Sequence, residues 1–202
     1  MPDRFVKELL SVPTISIRKW LFRAVPFFTL LKESRQPPLL APPDWLFTSG
    51  RRNRFNTRDL HCLYLSEDET TALSEQRRPL VGQDDPTEHP VIFRVEVNLH
   101  RVLDLTETIV CMALGLDLGD LEAPWVKART PTATQILGQV VAMRSDISAI
   151  RFPSAAAKES STVGVNVVIY RDQVASPDKV TFYGRDGKPA QSWPSQRLKG
   201  RK

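Results

Sequence analysis

Cysteine is scarce in this chain, with Cys62 and Cys111 the two among 202 residues. They stand far apart and lack CxxC spacing, so a disulfide framework and a thiolate metal site both lack material. The pair reads as buried thiols in a reducing compartment. Histidine is almost as rare, and His61, His89 and His100 form no HExxH or related pattern. Zinc chemistry is left without ligands, and no metal site is expected. Neither GxGxxG nor GxxxxGK[ST] occurs, which removes the two commonest nucleotide-binding signatures. No apolar run spans a bilayer: "WLFRAVPFFTLL" is interrupted by Arg23 and Pro26 and is too short. The start "MPDRF" has no signal-peptide shape. The reading is a cytoplasmic protein with no membrane contact.

What is present is an ordinary globular composition with an uneven charge. Hydrophobic residues make up 41% and charged residues 25%, enough for one domain with appendages and a sizeable core. Net charge is +5. Residues 1–58 hold 11 Lys/Arg against 4 Asp/Glu, residues 59–151 hold 8 against 15, and residues 152–202 hold 9 against 4. Basic ends around an acidic middle read either as solvated arms or as surface for an anion, whether nucleic acid or a phosphate-rich small molecule. The aromatic residues are not interleaved with the basic ones in any recognisable motif, so direct nucleic-acid binding is not expected. It stands as the competing function class.

The pattern of elements is α+β. Residues 14–34 read as one helix or two short ones around Pro26, followed by the proline-rich connector "RQPPLLAPPDW". "HCLYL" reads as a strand buried on both faces, and "SEDE" has capping-box form, with Ser66 as N-cap of a helix running to Arg77 or Arg78. "RPLVGQDDPTEHP" is a loop, and "VIFRVEVNL" alternates as a half-buried strand. "TATQILGQVVAMRS" is helical behind a threonine cap, and "SAIRFPSA" is a short extended segment. "VGVNVVIY" and "KVTFYG" are strands expected to pair. Without a βαβα period, a doubly wound parallel sheet is disfavoured.

Several residues carry chemistry only in combination. Glu75 lies mid-helix with Ala72 one turn earlier on its face, and taken alone it also reads as an exposed surface glutamate. Arg54 is one of several arginines, with Asn56 close behind it, and Ser154 follows a proline where serines often form turns. Asn166 is an amide inside an apolar strand, where its donors and acceptor need partners. Taken together, "RFN", then "LYLS" and "TALSE", resemble the RES-domain family, named for arginine, glutamate and serine. "AIRFPSA" followed by "GVNVVIY" resembles that family's C-terminal motif, and "LFRAVP" its opening. The likeness spans roughly residues 20–175.

The resemblance divides the chain into an N-terminal arm (1–19), a catalytic domain (20–175), and a C-terminal strand with a basic tail (176–202). It implies an ADP-ribosyltransferase-like fold of mixed, mostly antiparallel sheets with flanking helices. It also implies a bacterial toxin that consumes NAD as substrate without a further cofactor, held in check by an antitoxin with an Xre-like helix-turn-helix domain. Glu75, Arg54 and Ser154 map onto the catalytic positions, with Tyr64, Arg23, Asn56 and Asn166 as substrate-binding candidates. Glu75 would stabilise an oxocarbenium-like ribose, Arg54 would hold pyrophosphate or ribose hydroxyls, and Tyr64 would stack on nicotinamide. Ser154 would bond the ribose or the amide, and Arg23 would offer a second phosphate contact. Arg52 and Asn53 stand where many members have two glycines, and Asp59 where a glycine is common. The competing possibility within the family is a catalytically degenerate binding protein.

Overall fold

The computed structural model describes residues 5–26, 52–77, 90–126, 128–143, 146–159, 163–183 and 187–194. The proline-rich connector, the loop over 78–89 and the basic tail expected from the sequence lie outside the described residues.

A short helix α1 (Glu8–Ser11) leads into strand β1 (Thr14–Pro26). This corrects the helical expectation for 14–34, at least over its described part. Ile17, Leu21 and Val25 are buried at intervals of four, a spacing that suits a helix face and one face of a strand equally. Thr14, Ile15, Ile17 and Val25 are β-branched and tip the balance. The decisive term is the partner, because β1 runs antiparallel to β3 (Pro90–Asp104) from Thr14↔Leu103 to Pro26↔Pro90.

Strand β2 (Cys62–Ser66) leads into helix α2 (Glu69–Arg77). After β3 come helices α3 (Thr108–Ala113), α4 (Leu118–Glu122) and α5 (Ala133–Ala142). Thr132 caps α5 in a reciprocal capping box with Gln135, as its sequence suggests. Strand β4 (Ala149–Pro153), helix α6 (Ala155–Glu159), strand β5 (Val165–Tyr170), strand β6 (Lys179–Tyr183) and strand β7 (Pro189–Trp193) follow.

The sheet order is β1-β2-β5-β4-β3-β6-β7, and the additional β1–β3 pairing closes the first five strands into a barrel. The β3–β4 pair is parallel, and the remaining pairs are antiparallel. The expected β5–β6 pair does not form. Instead β5 is central, flanked by β2 and β4, whereas β6 pairs with β3 and β7. A strand flanked on both edges and covered on both faces reads as a near-continuous apolar run, as "VNVVIY" does.

Alternation along each strand separates two cores. Leu21, Leu63, Leu65, Val97, Val167 and Ile169 fill the barrel interior. On the outside of β2, β4 and β5, Cys62, Ile150, Phe152, Val168 and Tyr170 meet Leu121, Leu137 and Val141 from the helices. Each fully buried leucine is worth about 1.5–3 kcal/mol. Among the described residues no helix is long and apolar enough to cross a membrane.

Candidate active site

The polar end of the helix-facing side of β2 and β5 is where Glu75 enters. Asp68, not Ser66, caps α2: its carboxylate accepts from Thr71 N and Thr71 Oγ1, both at 2.7 Å. Ser66 is still paired in the β2 ladder, opposite Asn166. Its hydroxyl therefore points along the sheet face and donates to Asn166 Oδ1 at 2.7 Å. That bond leaves the Asn166 amide nitrogen to donate, and it does so to Glu75 Oε1 at 2.6 Å.

Ser154 supplies a second donor to the same oxygen, from Oγ at 2.7 Å. Its hydroxyl also accepts from Ala157 N at 3.0 Å, which holds Ser154 at the mouth of α6. Thus residues 79 and 91 positions from Glu75 in sequence meet on one carboxylate oxygen. Among the described residues Oε2 accepts no hydrogen bond, and Glu75 is half-buried. The carboxylate is pinned on one side and open on the other.

Close packing sets this geometry. A Cβ built on Gly164 would lie 2.4 Å from Thr71 Oγ1 and 2.5 Å from Ala157 Cβ, so α2, α6 and the start of β5 meet at a distance only glycine permits. On the opposite side of the sheet, Arg151 of β4 grips Glu67 (Nε–Oε1 2.8 Å, Nη2–Oε2 3.3 Å) and reaches Asp104 Oδ2 at 3.0 Å. Lys19 joins Glu67 at 3.0 Å. Glu67 lies two residues before α2, so this grip also ties the segment carrying Glu75 to β4, which Ser154 directly follows. Burial raises the Glu67 acid, but Arg151 and Lys19 outweigh it and hold the group below its ordinary value.

The arginine arrives from another direction. Arg54 is buried, and its guanidinium donates to the Leu121 carbonyl in α4. Its loop is fastened on several sides. Asn53 N donates to Asn56 O at 3.1 Å, Gln135 Nε2 donates to Asn53 O at 2.8 Å, and Tyr170 Oη donates to Phe55 O at 2.9 Å. Arg52, where a glycine is common, bonds Ala128 O at 3.1 Å and Gln135 Oε1 at 2.9 Å. Arg52 therefore anchors the loop to α5 with its side chain, whereas Asn53 contributes backbone groups.

Tyr64 belongs to this loop cluster. Its hydroxyl accepts from Phe55 N and donates to Asn56 Oδ1, each at 2.9 Å. Burial and the neighbouring Cys62 push the phenol well above its ordinary value, against the Phe55 N–H and the charges of Arg54 and Arg23. Arg23 donates to the Tyr64 carbonyl at 3.0 Å, and burial lowers it to about 10. Asn56 is fully buried and also bonds the Thr57 carbonyl. The two groups of candidates, Glu75–Ser154–Asn166 and Arg54–Asn56–Tyr64, flank a region bridged by α4 and α6. Lys158 Nζ meets Glu122 Oε1 there at 2.5 Å.

Sequence reasoning missed Ser66, Lys158, Glu122 and the Arg151 grip. The signal for Ser66 was its place opposite Asn166, which requires the strand pairing first. Among the described residues no group of His, Cys, Asp or Glu could hold a metal ion.

A model of the RES domain matches residues 34–193 of the chain. A comparison with curated proteins gives no match. Among solved structures, the fold is similar to a chain of the M. tuberculosis MbcT–MbcA toxin–antitoxin complex. The TM-score is 0.59 at 17% identity, covering 94% of this chain and 91% of the other.

Proposed function

The chain belongs to the RES-domain family, and from that membership and the setting of Glu75 we propose that it is an NAD-consuming toxin that breaks the nicotinamide–ribose bond. The observation that carries this reading is the pinned carboxylate, with Oε1 held by Ser154 and Asn166 and Oε2 left open. Heterolysis of the C1′–N bond sends its electron pair into the positively charged nicotinamide ring, which leaves neutral. The ribose is left as an oxocarbenium-like cation. A carboxylate beside it stabilises that charge and accepts a hydrogen bond from the 2′-hydroxyl. Because Ser154 and Asn166 already orient Glu75, little reorganisation is needed as the charge develops.

Arg54 is assigned to the pyrophosphate or ribose hydroxyls, through its planar fork of donors. Tyr64 offers its ring edge to nicotinamide while its hydroxyl fixes the Arg54 loop. Arg23 and Asn56 support that wall. The cation is then captured by water, phosphate or a protein nucleophile, which loses its proton, and the reaction needs no separate cofactor. In this reading the fold is of the ADP-ribosyltransferase type and the protein acts in the cytoplasm. The MbcT–MbcA assembly, a toxin–antitoxin complex, supports an antitoxin partner here too, assigned an Xre-like helix-turn-helix domain.

The test is Glu75→Gln. The variant keeps its fold and loses about a hundredfold or more in nicotinamide release, the usual cost of one transition-state contact. A purified variant that consumes NAD at the parent rate refutes the assignment. Mass spectrometry of the product with and without inorganic phosphate then identifies the acceptor.

A further inference from the structure

On the outer side of the β1–β3–β6 sheet, Arg18, Trp20, Phe22, Arg94, Glu96, Lys179 and Tyr183 belong to neither hydrophobic core. Along β1, Arg18, Trp20 and Phe22 alternate onto this side, opposite the buried Ile17 and Leu21. Across the ladder Arg18 pairs with Asn98, Trp20 with Glu96 and Phe22 with Arg94, while Lys179 of β6 pairs with Asn98 from the other edge. Basic and aromatic residues that look scattered in the linear chain are therefore interleaved on one surface.

Their contacts form a cluster of tilted rings beside a guanidinium. The Arg94 guanidinium lies 5.0 Å from the Trp20 ring centroid and 5.8 Å from that of Phe22. Trp20 and Tyr183 are 5.0 Å apart, tilted by 51°. Trp20 is 38% exposed, although it has the largest side chain on the strand. The carboxylate in this row, Glu96, accepts a hydrogen bond from the Tyr183 hydroxyl. Among the described residues Arg18, Arg94 and Lys179 make no ion pair. Strand spacing places Arg18 and Lys179 about 10 Å apart, with Arg94 about 13 Å further along β3.

From this arrangement we infer that the outer β1–β3–β6 face binds single-stranded nucleic acid, with bases on the Trp20–Arg94–Tyr183 cluster and phosphates on Arg18, Arg94 and Lys179. Aromatic rings and guanidinium planes on an exposed sheet accept unpaired bases whatever their sequence, and the flanking cations follow the backbone. Paired bases inside a duplex present no ring faces to such a surface. The exposed groups are aromatic or cationic rather than aliphatic, which favours a nucleic acid over an acidic protein segment.

The experiment is fluorescence anisotropy of a labelled oligothymidine of about a dozen nucleotides, enough to cross three strands, titrated with the full chain. A duplex of equal length and polyglutamate serve as comparison arms. The single strand is expected to bind in preference to both. The slope of log affinity against log salt is expected near about −2, as three phosphate contacts give on a single strand. Arg18→Glu with Lys179→Glu, two exposed changes that leave the fold intact, should flatten that slope toward zero. Trp20→Ala should weaken binding about tenfold. No binding at low salt, stronger binding to duplex or polyglutamate, or an unchanged slope in the double variant would each overturn the inference. The readout involves no NAD, so its outcome is separate from that of the Glu75 test.

Discussion

Gly138→Ala sets a local preference against a tertiary contact, and the two predict opposite signs. Gly138 lies inside α5, where alanine is better than glycine by about 1 kcal/mol. A Cβ there would fall 1.9 Å from the Phe55 carbonyl oxygen and 2.7 Å from Tyr170 Oη. Those two atoms are themselves bonded at 2.9 Å, and Phe55 is fully buried. The loop must therefore withdraw and the bond must break. Overpacking costs about 1–3 kcal/mol, and a buried hydrogen bond broken with its acceptor unsatisfied costs about 1–3 kcal/mol. Less the gain in helix propensity, the net loss is about 3 kcal/mol. For a chain of this size that lowers Tm by about 6–12 °C. Scanning calorimetry measures the shift. Tyr170→Phe added to Gly138→Ala should cost little more, because the bond it removes is already gone. A rise in Tm on Gly138→Ala would refute the reasoning, since it would mean that helix propensity outweighs the contact. Below Tm the same variant should raise KM for NAD, because the displaced loop carries Arg54.

Two further outcomes follow from the same geometry. Tyr64→Phe keeps the ring but removes the hydroxyl that joins Phe55 N to Asn56 Oδ1. It should lose about 1–3 kcal/mol in chemical denaturation and weaken NAD binding, whereas a purely stacking tyrosine would tolerate the change. At Asp178 burial raises the acid, but Ser148, the His100 N–H and Arg101 outweigh it and hold it below its ordinary 3.8, as Arg151 and Lys19 hold Glu67 below 4.5. A carboxylate lowered on folding stabilises above its unfolded value and loses that contribution as pH falls through the lowered one. Stability should therefore drop as pH falls below about 4.5, and Asp178→Asn should flatten this acid limb while lowering the neutral plateau. An unchanged slope in equilibrium unfolding would contradict the assignment.

Where local chemistry and tertiary structure agreed, the sequence was legible. "TATQILGQVVA" carries its own cap and period, and it forms α5 behind Thr132. "HCLYL" and "VNVVIY" are mostly apolar because both lie in the closed barrel, and Asn166 is the polar exception that serves the Glu75 site. β1 was not legible, since Ile17, Leu21 and Val25 fit either period until β3 supplies a partner. Nor was the cap of α2, because the direction of the Ser66 hydroxyl depends on Asn166, 100 residues away.

The amino-acid order by itself determined which segments are strands or helices with strong local signals, and it determined the motif set that marks the family. The fold alone decided that Ser154 and Asn166 share one oxygen of Glu75, that Arg52 braces the loop a glycine would leave loose, and that Arg18, Trp20, Arg94 and Lys179 lie on one face. The physical reason is that caps and periods act over a few residues, whereas these groups are set by register between strands far apart in the chain. Register is fixed by the burial of whole strand faces, and no short stretch of sequence contains both partners.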